Sequence, residues 1–389
     1  MTMKHPVSRR SFFGRLALGL GYVGLLPDKA LWSQAGPARG AVPRGAARLD
    51  EDEYDSFAKL AYNENPYGPT EPVLKAMTEA FKFANRYGYP DGGILEAIAT
   101  HHGVKPENIL LGAGSGEILD VVGSTFLEGS KKVIGVEPTF SSVYQHATGI
   151  KADAIRLPLL NDYRQDIPAM IRATKAHYRD VGFVYLCNPN NPTGVVVTKE
   201  EVRQLLDGIP EDVPVLVDEA YHHFVDDSNY ASSVPYVLEG RRVIVTRTFS
   251  KIAALAGMRL GYGIAPAEIV ERMRPYSMGS INAVVKWGGV AALKDVASQE
   301  HVKAVTLQLR RKTTAELVTR GYAVLPSEAN FFMVHIGRQV QPVIEEFRKR
   351  GVLVGRPFPP MVEHLRVSVG TPEEMSRFMT AFKAILPAK

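Results

Sequence analysis

The sequence contains one cysteine, Cys187, in 389 residues. An intramolecular disulfide and any cysteine-based metal cluster are therefore excluded. Excess charge is also scarce: 46 Lys and Arg stand against 41 Asp and Glu, a formal net of +5. Most of that excess lies in the first 35 residues, where Lys4, Arg9, Arg10, Arg15 and Lys29 face Asp28 alone. The remainder is close to neutral and lacks the basic footprint of a nucleic-acid binder. No apolar run reaches the roughly 20 residues that a membrane span needs. Internal repeats are absent, and the body of the chain has no low-complexity tract. The neighbouring pairs His101-His102 and His222-His223 do not suggest a metal site, because adjacent histidines on a helix diverge and no carboxylate pattern completes a coordination sphere. Asp226-Asp227 and Glu373-Glu374 read as solvated surface charge. No metal, nucleic-acid partner or membrane association of the mature chain is expected.

What is present begins with a leader. Ser8-Arg9-Arg10-Ser11-Phe12 is a twin-arginine pattern, followed by an apolar stretch over 16–26 and a small-residue site at Ser33-Gln34-Ala35. This order predicts an export signal over 1–35 and a periplasmic or otherwise exported mature protein. An uncleaved anchor, or a cytoplasmic chain with a mobile amphipathic N-terminus, is the alternative. Gly, Ala and Pro then predict a linker over 36–57.

Beyond it, apolar runs at 133–136, 183–186, 213–217, 243–246 and 260–264 alternate with helical patterns. One such pattern, with Val73, Met77, Ala80 and Phe81 at helical spacing, follows Thr70-Glu71-Pro72. Alternation of this kind predicts an α/β fold with a mostly parallel central sheet. The last third reads as helices over 284–293 and 304–317, strands at 331–335, 352–354 and 365–369, and a helix near 343–350. The expected organisation is a large domain over 76–275 and a smaller α+β domain built from 58–75 and 276–389.

Five segments carry chemistry, all where strands end or helices open, the edge at which open α/β sheets bind ligands. Gly112-Ala113-Gly114-Ser115-Gly116-Glu117 opens a helical run with the exposed N–H groups that suit an anion. It lacks the Lys-Ser/Thr ending of a nucleoside-triphosphate loop. Asn188-Pro189-Asn190-Asn191-Pro192-Thr193-Gly194 forms a tight turn whose asparagines can reach a ligand. Asp218-Glu219-Ala220-Tyr221 follows an apolar strand, where a carboxylate needs a cationic or protonated partner. Thr248-Phe249-Ser250-Lys251, with Arg259 eight residues beyond the lysine, combines a nucleophilic amine with groups that grip phosphate. Leu365-Arg366-Val367 places an arginine within a β run, where its fork suits a carboxylate. Taken singly, each has a plainer reading: a Gly-rich turn, a structural turn, an acidic surface turn, a solvated lysine, a structural ion pair.

Taken in order, the segments resemble the class I/II, fold-type-I pyridoxal-phosphate aminotransferases, and within them the histidinol-phosphate aminotransferase-like branch. Asn63-Glu64-Asn65-Pro66-Tyr67-Gly68-Pro69, Arg86-Tyr87-Gly88-Tyr89-Pro90-Asp91, Glu137-Pro138-Thr139-Phe140 and Ala329-Asn330-Phe331 add to the likeness, which spans about 58–385. The resemblance implies a dependence on pyridoxal 5'-phosphate and transfer of an amino group between an L-amino acid, or a related amine, and a 2-oxo acid. It implies that Lys251 forms an aldimine with the cofactor and shuttles protons, that Asp218 pairs with the ring nitrogen, and that Asn191 and Tyr221 bond the ring oxygen. Ser115, Gly116, Thr248, Ser250 and Arg259 would hold the phosphate and Phe140 would stack on the ring. Tyr89 would reach the phosphate of a partner subunit in a homodimer. Arg366, with Asn191 beside it, would clamp the substrate carboxylate, and Arg356 would contact a second anionic group.

The leader, together with Gly116, the segment at 351–357 and Ser277 after Tyr276, departs from what histidinol-phosphate enzymes usually show. These departures predict a free amino acid rather than histidinol phosphate as the donor. Histidinol-phosphate transamination proper remains an alternative. So do decarboxylation, elimination or amino-acid oxidation on the same scaffold, and a non-catalytic exported binding protein.

Overall fold

The computed structural model describes residues 51–388 apart from Ser130. The expected export signal and residues 36–50 of the expected linker lie outside the described residues. Residues 51–56, read from the sequence as linker, are instead a helix, Glu51–Ser56. Its acidic composition suits the positive end of a helix, and Ser56 Oγ closes back on Glu53 O at 2.7 Å.

Seven strands form the main sheet: β2 (Ile109–Gly112), β3 (Lys132–Glu137), β4 (Asp153–Pro158), β5 (Val181–Cys187), β6 (Val215–Asp218), β7 (Val243–Thr248) and β8 (Gly261–Ile264). They lie in the order β2-β8-β7-β6-β5-β3-β4. Only β8 runs against its neighbours. Both faces are covered, which is why the central strands read as nearly continuous Val, Ile and Leu. Alternate residues serve opposite layers. Phe183, Tyr185 and Cys187 pack beneath helix Ser115–Phe126 and its neighbours, whereas Val184 and Leu186 join the core under helices Ile94–His102 and Lys199–Gly208. That second core also takes in Ile281, Val285, Val290 and Ala292. Helix Ala283–Lys294 thus packs with the large sheet, although the sequence places the start of the small domain at 276.

The smaller body contains an antiparallel sheet, β12 (His364–Ser368), β10 (Phe331–His335) and β9 (Ala323–Val324), and a parallel pair, β1 (Ala58–Leu60) with β11 (Val352–Val354). Its core is aromatic: Phe347 stacks on Phe378 at 5.5 Å, with Phe332 and Phe382 buried alongside. Thr371 and Glu374 form a capping box that starts helix Pro372–Ile385. The same Glu374 accepts the Lys59 N–H at 2.9 Å, tying β1 to this body. The sequence reading missed β1, β2, β4 and β9. β4 is an edge strand carrying Asp153 and Arg156 and ending on Pro158, a composition tolerated only where one side goes unpaired.

At the carboxyl edge, register does the positioning. Cys187 lies opposite Asp218, and Asp218 opposite Thr246. Because β8 is antiparallel, its first residue, Gly261, meets both Gly112 and Thr248. The residues preceding β8, Arg259 among them, therefore arrive at the same edge. Under it lies an ion pair between Arg247 and Glu219 at 2.6 Å, their side chains 3% and 1% exposed. Arg247 also bonds Ser232 at 2.8 Å and contacts His222.

Removing one partner of a pair buried this deeply leaves an uncompensated charge. Glu219→Ala should lower the unfolding free energy in urea by about 3–5 kcal/mol. Glu219→Leu combined with Arg247→Met should recover most of that loss; an equal loss in the double variant would assign the cost to packing rather than charge.

Candidate active site

The anion-binding end is built on the turn before helix Ser115–Phe126. Gly114 holds φ +82° at the N-cap, leaving the first N–H groups of the helix unbonded within it. A Cβ at Gly114 would lie 2.0 Å from Arg259 Nη2, so only glycine admits the guanidinium here. Gly261 is equally constrained, since its Cβ would lie 2.3 Å from Ser115 N. Thr248 Oγ1 donates to Ser250 Oγ at 2.8 Å, and Arg259 Nη1 donates to the same Ser250 oxygen at 3.3 Å. Other Arg259 donors reach only the carbonyls of Ala256 and Ala113, at 2.9 and 3.2 Å. Ser115, Gly116, Thr248, Ser250 and Arg259 are thus gathered around one point, and no ion pair satisfies Arg259 among the described residues. A guanidinium, two hydroxyls and a helix N-terminus fit a phosphate, and the Glu117 carboxylate of that first turn is taken up by the Ala113 and Met278 N–H groups.

A second set of groups converges beside it. The Asp218 carboxyl is buried, accepting a hydrogen bond from Thr246 Oγ1 at 3.0 Å and from Ala220 N–H at 3.3 Å. Burial pushes it up to about 6, against the pull of those hydrogen bonds. No Lys, Arg or His pairs with it among the described residues, so its ionised form is stabilised by any protonated ring nitrogen placed there. Lys251 shifts the other way. Desolvation first, then the charge of Arg366, brings its ammonium down to about 8. Its Nζ donates to Tyr62 O at 3.0 Å and lies 5.6 Å over the Tyr221 ring.

The Tyr221 phenol accepts hydrogen bonds from Asn63 Nδ2 at 3.1 Å and Asn191 Nδ2 at 3.2 Å, leaving its own proton to donate. The other end of the Asn191 amide accepts Arg366 Nη1 at 2.7 Å. Arg366 also donates to Ala61 O at 2.6 Å, while its buried Nε has no partner among the described residues. Burial draws this guanidinium down to about 10. The Phe358 ring lies 4.5 Å from Arg366 and 4.4 Å from Arg356. Arg356 itself is exposed and donates to Pro357 O at 2.8 Å.

Of the residues singled out from sequence, the fold brings Ser115, Gly116, Thr248, Ser250 and Arg259 to one end and Asn191, Asp218, Tyr221, Lys251 and Arg366 to the other. Arg356 joins through Phe358. Phe140 is 40% exposed, and its carbonyl accepts Tyr185 Oη at 3.2 Å. Tyr89 does not join this site within its own chain: its hydroxyl donates to Ile281 O at 2.7 Å, with Lys286 Nζ 5.2 Å over the ring. Sequence reading assigned no roles to Tyr62, Asn63, Ser368 or Phe358. Asn63 left a trace, since it lies in a run with Asn65-Pro66 and adopts φ +55°, a conformation asparagine tolerates. Its N–H donates to Ser368 Oγ at 2.8 Å, fixing this backbone against β12. Phe358 left none.

A family model described as "Aminotransferase class I and II" matches residues 56–382. The histidinol-phosphate aminotransferase of Moorella thermoacetica is 37% identical over 336 residues, covering 84% of this chain and 85% of that protein. Histidinol-phosphate aminotransferase 2 of Carboxydothermus hydrogenoformans is 36% identical over 337 residues, covering 84% and 91%. Among solved structures, the histidinol-phosphate aminotransferase of Sinorhizobium meliloti in complex with pyridoxal-5'-phosphate superposes with a TM-score of 0.79 at 23% identity, covering 90% of this chain and 98% of that one. At that identity the likeness is one of fold.

A lysine lowered to about 8 has roughly a tenth of its amine unprotonated at neutral pH, where an ordinary lysine near 10.4 has well under a hundredth. Trace labelling of the cofactor-free protein with acetic anhydride, read by peptide mass, should show Lys251 acylation rising with pH to half its plateau near 8. A midpoint near 10 would contradict the depressed value.

Proposed function

The chain belongs to the class I and II aminotransferases and is a pyridoxal-phosphate-dependent enzyme, and from that premise we propose that it transfers the amino group of a free L-amino acid to a 2-oxo acid at the site around Lys251. The observation that carries the reading is Arg366, a buried fork with an unpartnered Nε beside Asn191, suited to the carboxylate of a 2-oxo acid and of a free amino acid alike. A planar carboxylate satisfies such a fork by two parallel hydrogen bonds. Histidinol phosphate carries no carboxylate but its 2-oxo-acid acceptor does, so the fork serves either donor and the choice between them rests on the N-terminal pattern.

When bound, pyridoxal phosphate supplies an aldehyde for the amine and an electron sink for the pair left at the substrate Cα. The chain's own groups do the rest. The Ser115 and Gly116 end of the helix, with Thr248, Ser250 and Arg259, would hold the phosphate. Asp218 would accept the hydrogen bond of the ring N–H, a pairing its burial strengthens. Tyr221 and Asn191 would hold the ring oxygen, and Phe140 would pack against the ring. Lys251, partly unprotonated near neutrality, takes the proton from the substrate Cα and returns it one atom away. Arg366 fixes the carboxylate so that the Cα–H bond faces Lys251.

A second reading, histidinol phosphate as donor, is favoured by the 36–37% identity to enzymes of that name and by exposed Arg356, which would meet the phosphate. The N-terminal twin-arginine pattern supports the first reading, because an exported enzyme is separated from a biosynthetic intermediate. Export and a homodimer are part of the proposal. An exposed apolar set, Tyr62, Tyr67, Leu74, Phe81, Tyr87, Tyr276 and Met278, supports the dimer, with Tyr89 completing the partner's phosphate site.

Purified holoenzyme titrated with L-amino acids should lose its visible cofactor absorbance with particular donors and regain it with a 2-oxo acid. Lys251→Ala should abolish the response. Efficient turnover of histidinol phosphate and of no free amino acid would falsify the free-amino-acid reading. In a bacterial host, size-exclusion of the periplasmic fraction should yield the chain at twice its monomer mass, and Arg9→Lys with Arg10→Lys should remove it from that fraction. Its absence from the periplasm sinks export, and elution at monomer mass sinks the dimer.

A further inference from the structure

The connection from β4 to helix Ile167–Ala176 contains a bulky residue in a conformation that favours glycine: Tyr163 has φ +67°. The turn around it is tightly held. Tyr163 N–H donates to Leu160 O and Leu160 N–H to Arg164 O, both at 2.9 Å. Arg164 pairs with Asp162 at 2.7 Å and with Glu201 at 2.9 Å. Strain that its surroundings over-determine points to what the strained side chain reaches.

The Tyr163 side chain leaves the large sheet and packs against Leu325, Met333, Phe358 and Met361 of the smaller body. Its hydroxyl lies 3.2 Å from His364 Nε2, with the two rings edge to face at 5.6 Å. His364 opens β12 two residues before Arg366, so the two share a face of that strand. The other ring nitrogen of His364, Nδ1, has no hydrogen-bond partner among the described residues. On its far side His364 meets the ring of His335 at 4.8 Å, and His335 pairs with Glu363 at 3.2 Å. Desolvation, then the neighbouring His335, lowers His364 to about 4, so its ring meets the Tyr163 hydroxyl uncharged at neutral pH. Phe358, in the cluster Tyr163 packs against, is the ring that lies against both Arg366 and Arg356.

We propose that Tyr163 is a positioning residue for the substrate-anion site: by joining His364 and Phe358 it fixes β12 and the ring that spaces Arg366 from Arg356, and so sets the affinity for a dicarboxylate. The proposal rests on the reading of Arg366 as the carboxylate clamp. Tyr163 touches neither substrate nor cofactor. Its loss acts on binding and leaves the proton transfers of Lys251 alone.

The test uses the holoenzyme and succinate, a dicarboxylate without a reactive carbonyl, with affinity read by calorimetry. Tyr163→Phe removes one hydrogen bond and keeps the packing; it should weaken succinate about fivefold and raise KM for dicarboxylic substrates while kcat at saturation stays unchanged. His364→Gln should do the same, and the double variant should cost little more than either single change. Tyr163→Gly, which relieves the backbone but deletes the ring, should weaken succinate further. Arg366→Lys is the control and should weaken it most. Unchanged affinity in Tyr163→Phe and Tyr163→Gly, with Arg366→Lys impaired, overturns the positioning role. Unchanged affinity in Arg366→Lys overturns the clamp itself, and this proposal with it.

Discussion

The hydrogen bond from Arg366 to Asn191, 2.7 Å long, is the contact on which the site depends. It joins a strand of the small sheet to the turn that ends β5 of the large one. The amide at Asn191 has two ends, and both are in use: oxygen to Arg366, nitrogen to the Tyr221 phenol. One side chain therefore fixes the distance between the Arg366 guanidinium and the Tyr221 hydroxyl. An aspartate there would lose the donor to Tyr221, and a lysine would lose the acceptor for Arg366. The geometry admits an amide and little else.

Burial then works in opposite directions on two groups a short distance apart. Asp218 is pushed up and Lys251 down, each because its charged form is the one that loses water. An ion pair between them would have settled both values in the ordinary way. The fold instead gives neither an ion-pair partner among the described residues, which leaves a buried carboxyl that a protonated group would stabilise and an amine partly unprotonated near neutrality. Arg247 and Glu219, the neighbouring buried charges, show the contrasting solution: they satisfy one another and serve the scaffold.

Much of this was legible in the sequence, and the pattern of success has a physical cause. Buried parallel strands announce themselves as Val and Ile runs, and the residues that follow them sit at the sheet's carboxyl edge by topology alone. Asp218, Lys251 and Asn191 could be found that way, without knowing strand order. Strands that lie at an edge or are very short, such as Asp153–Pro158 and Ala58–Leu60, carry no comparable pattern because little of their surface is buried on both sides. Helix Glu51–Ser56 was hidden in what reads as linker. The roles of Phe358 and of the Tyr62 carbonyl depend on how two bodies meet, a property of the whole chain rather than of any window in it. Tyr163 is similar: its aromatic character fits any surface loop, and only its backbone conformation sets it apart.

The site is also assembled late. Arg366 bonds the carbonyl of Ala61 across 305 residues of sequence, and Asn63 bonds Ser368 across the same separation. Contacts of such span are the slowest to form, because loop closure must precede any gain from them. On the ribosome, the large sheet can be complete while its ligand cleft still has one wall missing. A nascent chain can thus display the turn at Gly114 and Ser115 yet lacks Arg366 beside Asn191 until its final strand has been made. β12 is the last strand of the chain, so a truncation that spares the entire large sheet still removes Arg366 and its bonds to Asn191 and Ala61.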